Sequence, residues 1–288
     1  MKDHDCMEWL RWQKNPWGQD MLRGLAWEVT WLAIAVGCVC MVVHMLLYVW
    51  RWRSQTATGS PDAEPQRRLL PERILRHTFA SRLFHWSMAA AVIVLLLTAF
   101  LPIVGVKFAW VTPHWSAGLV LTGAIVFHIV HASFWKGLAW MWVNRQDLHD
   151  GWVTLRQTIG LPNPAPGKPG KNPLENKLFH HLTSVATLAT IVTGLLMMLK
   201  VDSPIWSRNP YLLADRTWGV VYVVHGVASV ALITLVMVHV YFAVRPEKRW
   251  LTRSMIVGWI PRQRYLEHYD PARWPVLQPD DQTQGGEH

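Results

Sequence analysis

Cysteine is nearly absent from this 288-residue chain: Cys6 precedes the first apolar block, and Cys38 and Cys40 lie inside it. No CxxCH segment is present to attach a haem covalently, and no cysteine cluster to hold zinc or an iron–sulfur centre. A metal bound here has to be held by histidine, of which there are 14. Charge is scarce as well, at 16% of residues against roughly 25% in ordinary soluble domains. A cleavable signal peptide is not expected, because residues 1–19 are polar and the first apolar block has no small-residue cleavage site. No repeat of the solenoid kind occurs.

The apolar residues gather into five blocks: Gly24 to Trp50 (broken only by Glu28), Leu83 to Val104, His114 to Trp135, Leu178 to Leu199 and Trp218 to Val244. Each is long enough for a transmembrane helix, which needs about 20 apolar residues. The net charge of +9 would suggest nucleic acid in a soluble protein, but its distribution points to a membrane instead. Twenty of the 28 Lys and Arg fall in segments 51–82, 136–177 and 245–288, and eight in 1–25, 101–113 and 200–217. Positive charge stays on the cytoplasmic side. The N-terminus is therefore expected outside and the C-terminus inside, as an odd number of crossings requires. The expected fold is all-α, with five crossings in a bacterial inner membrane and no nucleic-acid partner.

Composition divides the chain further. Residues 1–53 form a periplasmic N-terminus and one transmembrane helix, and 54–74 a flexible cytoplasmic linker rich in Thr, Gly, Ser, Pro and Gln. Residues 75–245 form a four-helix core. Residues 246–288 form a cytoplasmic interfacial segment, basic with interleaved Trp250, Trp259, Tyr265 and Trp274, and then a disordered tail. A proline-rich stretch, Leu161 to Pro173, separates the third and fourth helices.

Within the core the histidines sort by depth. His225 and His239 stand fourteen residues apart on one uncharged block, which puts them roughly 21 Å apart along a helix and within about 40° around it. Ionisable groups so placed are costly and mark function. His114 opens the third helix level with His225, and His85 opens the second level with His239. Two pairs at two depths suit two bis-histidine haems within a helix bundle. Arg82, three residues before His85, shares its face and is placed to neutralise a haem propionate. Gly118, Gly194 and Gly226 would let a porphyrin approach the backbone, or merely let helices pack. His128, fourteen residues after His114, offers an alternative ligand set on two helices: His114, His128, His225 and His239. His131, His180 and His181 approach the cytoplasmic end, where they could hydrogen-bond a propionate or quinone. His44 reads as a helix-contact histidine.

Arg82-Leu-Phe-His85-Trp86, His114-x-x-x-Gly118 and His225-Gly-Val-Ala-Ser with Val238-His239-Val-Tyr241 resemble three helices of the cytochrome b (γ) subunit of membrane-bound formate dehydrogenase. Gly170 to Leu174 is similar to a loop in related cytochromes b of nickel–iron hydrogenase and thiosulfate reductase. The resemblance covers about residues 75 to 275; the first helix lies outside the family's four-helix core. It implies two haem b on His85, His114, His225 and His239, and so favours His85 over His128. It also implies a quinone, menaquinone or ubiquinone, beside the inner haem near Lys171, Asn172, Lys177 and His239.

The resulting expectation is an electron-transfer subunit, not catalytic alone. It would link an iron–sulfur subunit and a molybdenum or tungsten catalytic subunit to the quinone pool. The alternatives are a stand-alone cytochrome b561-type quinone oxidoreductase and the cytochrome b subunit of a nickel–iron hydrogenase. A haem-free anchor would leave the depth-matched histidines unexplained.

Overall fold

A computed structural model describes residues 9–52, 70–136, 141–158, 161 and 167–276. The five expected crossings are all helices: α1 (Trp27–Trp52), α2 (Phe79–Ile103), α3 (Val111–His131), α5 (Leu174–Met198) and α6 (Asp215–Val244). Between α3 and α5 lies α4 (Arg145–Thr158), short and polar. After α6 come α7 (Arg249–Val257) and α8 (Arg262–His268). Four of the crossings begin three or four residues before the apolar blocks that announced them. An apolar run is cut at its first polar residue, whereas a helix continues as long as its backbone bonds close. In α5 the amides of Asn176 and Lys177 already bond to the Pro173 carbonyl, so Lys177 lies on the helix rather than ahead of it.

The chain divides into two compact units. The first comprises Met1–Arg53, Trp86–Phe127 and Leu182–Phe242, and the second Ser54–His85, His128–His181 and Ala243–His288.

In the first unit, strands β1 (Leu10–Lys14) and β2 (Asp20–Leu25) form an antiparallel hairpin that composition did not announce. Its turn rests on Asn15, whose Oδ1 accepts from the amides of Trp17 and Gln19, and on Gly18 at φ +81°. Gly219 of α6 is a required glycine, since a Cβ there would lie 2.8 Å from Leu22 Cβ. Gly226 likewise meets Leu25, with Cγ at 3.2 Å, so its role is packing. The N-terminal helix α1 lies along α6: Gly37 faces Met237 and Thr234, and His44 Nδ1 is 2.9 Å from Tyr241 Oη. His44 is thus a helix-contact histidine.

In the second unit, β3 (Arg73–Leu75) pairs with β4 (Trp259–Pro261). Around this ribbon Ile74, Ile260, Tyr265, Leu266, Tyr269 and Trp274 form a buried core. Within the segment after 246, Tyr265, Tyr269 and Trp274 pack on one another. Gly258 ends α7 at φ +91°, and a Cβ there would lie 2.9 Å from the His77 carbonyl. Residues 54–69 of the expected linker and the whole of the disordered tail expected after Pro279 lie outside the described residues.

Candidate haem and quinone sites

Two histidines meet inside the first unit. The rings of His114 on α3 and His225 on α6 have centroids 6.5 Å apart, tilted by 65°. Each is held at Nδ1 by a buried threonine of a neighbouring helix: Thr98 Oγ1 at 2.8 Å from His114, and Thr193 Oγ1 at 2.9 Å from His225. Those hydroxyls settle the tautomers. A threonine hydroxyl has one proton. Thr98 directs it back to its own helix, at the carbonyls of Val94 (2.7 Å) and Leu95 (3.1 Å). Thr193 does the same towards Ala189 (2.6 Å) and Thr190 (3.2 Å). Each hydroxyl oxygen must then accept from the imidazole. Both rings carry their proton on Nδ1 and leave the Nε2 lone pair for a metal, the usual arrangement behind a ligating histidine.

The spacing fits an iron between them. Two imidazoles that shared one iron through bonds of about 2 Å would have their centroids roughly 6.4 Å apart. Gly118, one turn along α3 from His114, is half-buried with no atom within 4 Å of where a Cβ would stand. That leaves room for a flat group beside the helix. Gly194 instead touches the edge of His225, with Cε1 at 3.5 Å from a would-be Cβ.

His85 lies in the second unit and His239 in the first, so their pairing stays with the sequence reading. The alternative ligand, His128, stacks on Phe84 with centroids 4.2 Å apart and lies edge-on to His180 at 6.2 Å. His181 places Nε2 3.0 Å from the Met141 carbonyl. Arg82 Nη1 donates to the Ile256 carbonyl near the end of α7, which ties the guanidinium to the protein. Its Nε is sealed from solvent with no acceptor. Among the described residues no three His, Cys, Asp or Glu gather to hold a metal ion alone.

Three residues expected near a quinone do converge. Lys171, Asn172 and Lys177 line a polar cavity of about 190 Å³ with Asn144, Asp147, Gly170 and Arg273. At its wall Lys177 Nζ lies 2.6 Å from Asp147 Oδ2, with side chains only 8% and 5% exposed. Lys177 also donates to the Trp142 carbonyl at 3.1 Å, and Arg273 lies 3.5 Å from Asp147 Oδ1 and 2.6 Å from Asp150. Burial by itself would raise the Asp147 carboxyl. The hydrogen bonds from Lys177 and Asn144, with the Lys177 and Arg273 charges, outweigh it and hold the group below its ordinary value. Asn172 Nδ2 is 3.3 Å from Met141 Sδ.

Thr98, Thr193, Asp147 and Arg273 were not anticipated. The threonines carried little signal, since Ser87 shares the apolar run of Thr98 and Thr193 is one of five Ser or Thr residues in its own; Asp147 and Arg273 are ordinary charges in polar segments and carried none.

Residues 76–258 match the family model described as prokaryotic cytochrome b561. That span is well over half of the chain, and the protein belongs to this family. It is accordingly a multi-pass membrane cytochrome b of electron transfer, and the family implies haem b, which the His114–His225 pair fits. No curated protein matches the chain.

Proposed function

We propose that the chain is the di-haem cytochrome b subunit of a respiratory oxidoreductase, similar to the γ subunit of formate dehydrogenase. It carries electrons between an iron–sulfur and molybdenum- or tungsten-bearing partner and the quinone pool. The observation that carries this reading is the His114–His225 pair, with both Nδ1–H groups held by threonine and both Nε2 atoms left for iron. His114 and His225 hold the outer haem; His85 and His239 hold the inner one, with Arg82 near its cytoplasmic edge. Haem supplies one-electron chemistry, tuned by its axial ligands and surroundings. This chain's residues orient the ligands, keep water from them and fix their protons. The quinone headgroup lies at the cavity of Lys171, Asn172 and Lys177, and the resemblance adds His239. There Lys177 and Asn172 supply hydrogen-bond donors for a carbonyl oxygen.

Residues 1–53 add a periplasmic N-terminus and an extra helix, 54–74 a cytoplasmic linker, 75–245 the haem-bearing core and 246–288 a cytoplasmic segment. This orientation, in a bacterial inner membrane, is supported by the charge asymmetry. A pyridine haemochrome assay on the purified chain should give two haem b, and His114→Ala or His225→Ala should remove one and leave the other. One haem or none in the unaltered chain would overturn the reading.

A second reading is a stand-alone quinone oxidoreductase of the b561 type, favoured by the family match itself. Purification decides between them. A chain that turns over quinone by itself is the second; one that co-purifies with a catalytic subunit and is inert without it is the first.

A further inference from the structure

A groove of about 360 Å³ lies in the second unit, away from the polar cavity. It is lined by Arg249, Trp250, Arg253, Trp259 and Arg264, with two prolines and a valine between them. We infer that this groove binds the phosphate of an anionic membrane phospholipid.

Position comes first. The membrane-crossing helix α6 ends at Val244 and α7 begins at Arg249, joined by a single turn at Pro246–Lys248. Thr252 Oγ1 of α7 donates to the Ala243 carbonyl at 2.7 Å, which ties α7 back to the end of that helix. The groove is thereby held close to the height at which a crossing helix leaves the hydrocarbon, where lipid phosphates lie. Tryptophan and arginine are the residues that favour this level.

Charge points the same way. Arg264 has a carboxylate partner, Glu267 at 3.1 Å. Arg249 and Arg253 have none among the described residues, and both are exposed. They stand four residues apart on α7, neighbours on one helix face, where like charges repel. An anion between them relieves that repulsion. A guanidinium fork matches phosphate oxygens in pairs, which a point charge does not.

The walls supply the rest of the site. Arg253 lies over the Trp259 ring at 5.9 Å, and Arg73 over the same ring at 4.6 Å. Trp259 thus has two cations within reach of its ring. Trp250 stacks on His268 at 5.0 Å, which fixes a second aromatic wall. Excess positive charge selects a headgroup that adds no cation of its own, so phosphatidylglycerol should bind ahead of phosphatidylcholine.

Native mass spectrometry of the whole purified chain, with its haem, tests this by titration with each lipid. One phosphatidylglycerol should be retained at least about tenfold more tightly than phosphatidylcholine. R249Q/R253Q should weaken it by about 10- to 30-fold. K14Q/R208Q, which removes two charges elsewhere, should leave it unchanged. Brominated phosphatidylglycerol should quench tryptophan fluorescence, and W250F/W259F should lose that component, which gives an answer if R249Q/R253Q proves too unstable to purify. Equal retention of the two lipids would overturn the inference, as would unaltered binding by R249Q/R253Q or quenching unaffected in W250F/W259F. Displacement of the lipid by millimolar inorganic phosphate would do so too, since it would identify a soluble-anion site.

Discussion

Replacing Thr193 by valine tests the outer haem site with little change of shape. Thr193 is 6% exposed and accepts from His225 Nδ1 at 2.9 Å. Valine keeps the volume and removes the acceptor, leaving a buried N–H short of a partner at a cost of about 1–3 kcal/mol. Part of this cost differs between the two redox states. A hydrogen bond donated from Nδ1 makes the imidazole more electron-rich, which favours oxidised iron. If about 0.5–1 kcal/mol of the bond is specific to the oxidised state, its loss raises the midpoint potential by about 20–45 mV, at roughly 59 mV per tenfold for one electron. Potentiometric titration of the haem absorbance would measure this, with the second haem as internal reference. Thr193→Ser retains the hydroxyl and should restore the original potential. An unchanged potential in T193V, or an equal shift in T193S, would refute both the tautomer argument and the ligand role of His225.

The inner ligand can be assigned by comparison: His85→Ala should lose the inner haem and quinone-coupled turnover, whereas His128→Ala, losing its stack on Phe84, should keep both haems in the absorption spectrum. Lys177→Met would take the nearer cation from the buried Asp147 carboxylate and leave Arg273 at 3.5 Å, at a cost of about 1–3 kcal/mol, visible as a lower midpoint in thermal unfolding. Because the Asp147 carboxyl is held below its ordinary 3.8, its contribution to stability is present above about pH 4 and is lost as pH falls through the depressed folded value; acid unfolding of D147N should lack that limb. Reporter fusions should place residue 1 in the periplasm and residue 288 in the cytoplasm, and a cytoplasmic N-terminus would remove α1 from the crossings.

Five membrane-crossing helices were legible from the sequence alone, because a bilayer demands long uncharged runs and leaves little choice of structure within them. The same constraint singled out His114 and His225, since an imidazole at that depth needs a reason. What the apolar pattern could not reveal was which groups hold those rings. Thr98 stands sixteen residues before His114, and Thr193 stands thirty-two before His225 on a different helix. Helix periodicity says which residues share a face, but the packing of one helix on another decides which face meets which. The hairpin of residues 10–25 and the ribbon joining 73–75 to 259–261 were hidden for a related reason. Short strands are stabilised by a partner distant in sequence, and in the second case by an aromatic core assembled from both ends of the unit. Lys171, Asn172 and Lys177 could be placed in one loop and helix start by sequence. That Asp147 and Arg273 complete their cavity was decided by tertiary structure alone, because a buried lysine must find its countercharge wherever the fold supplies one.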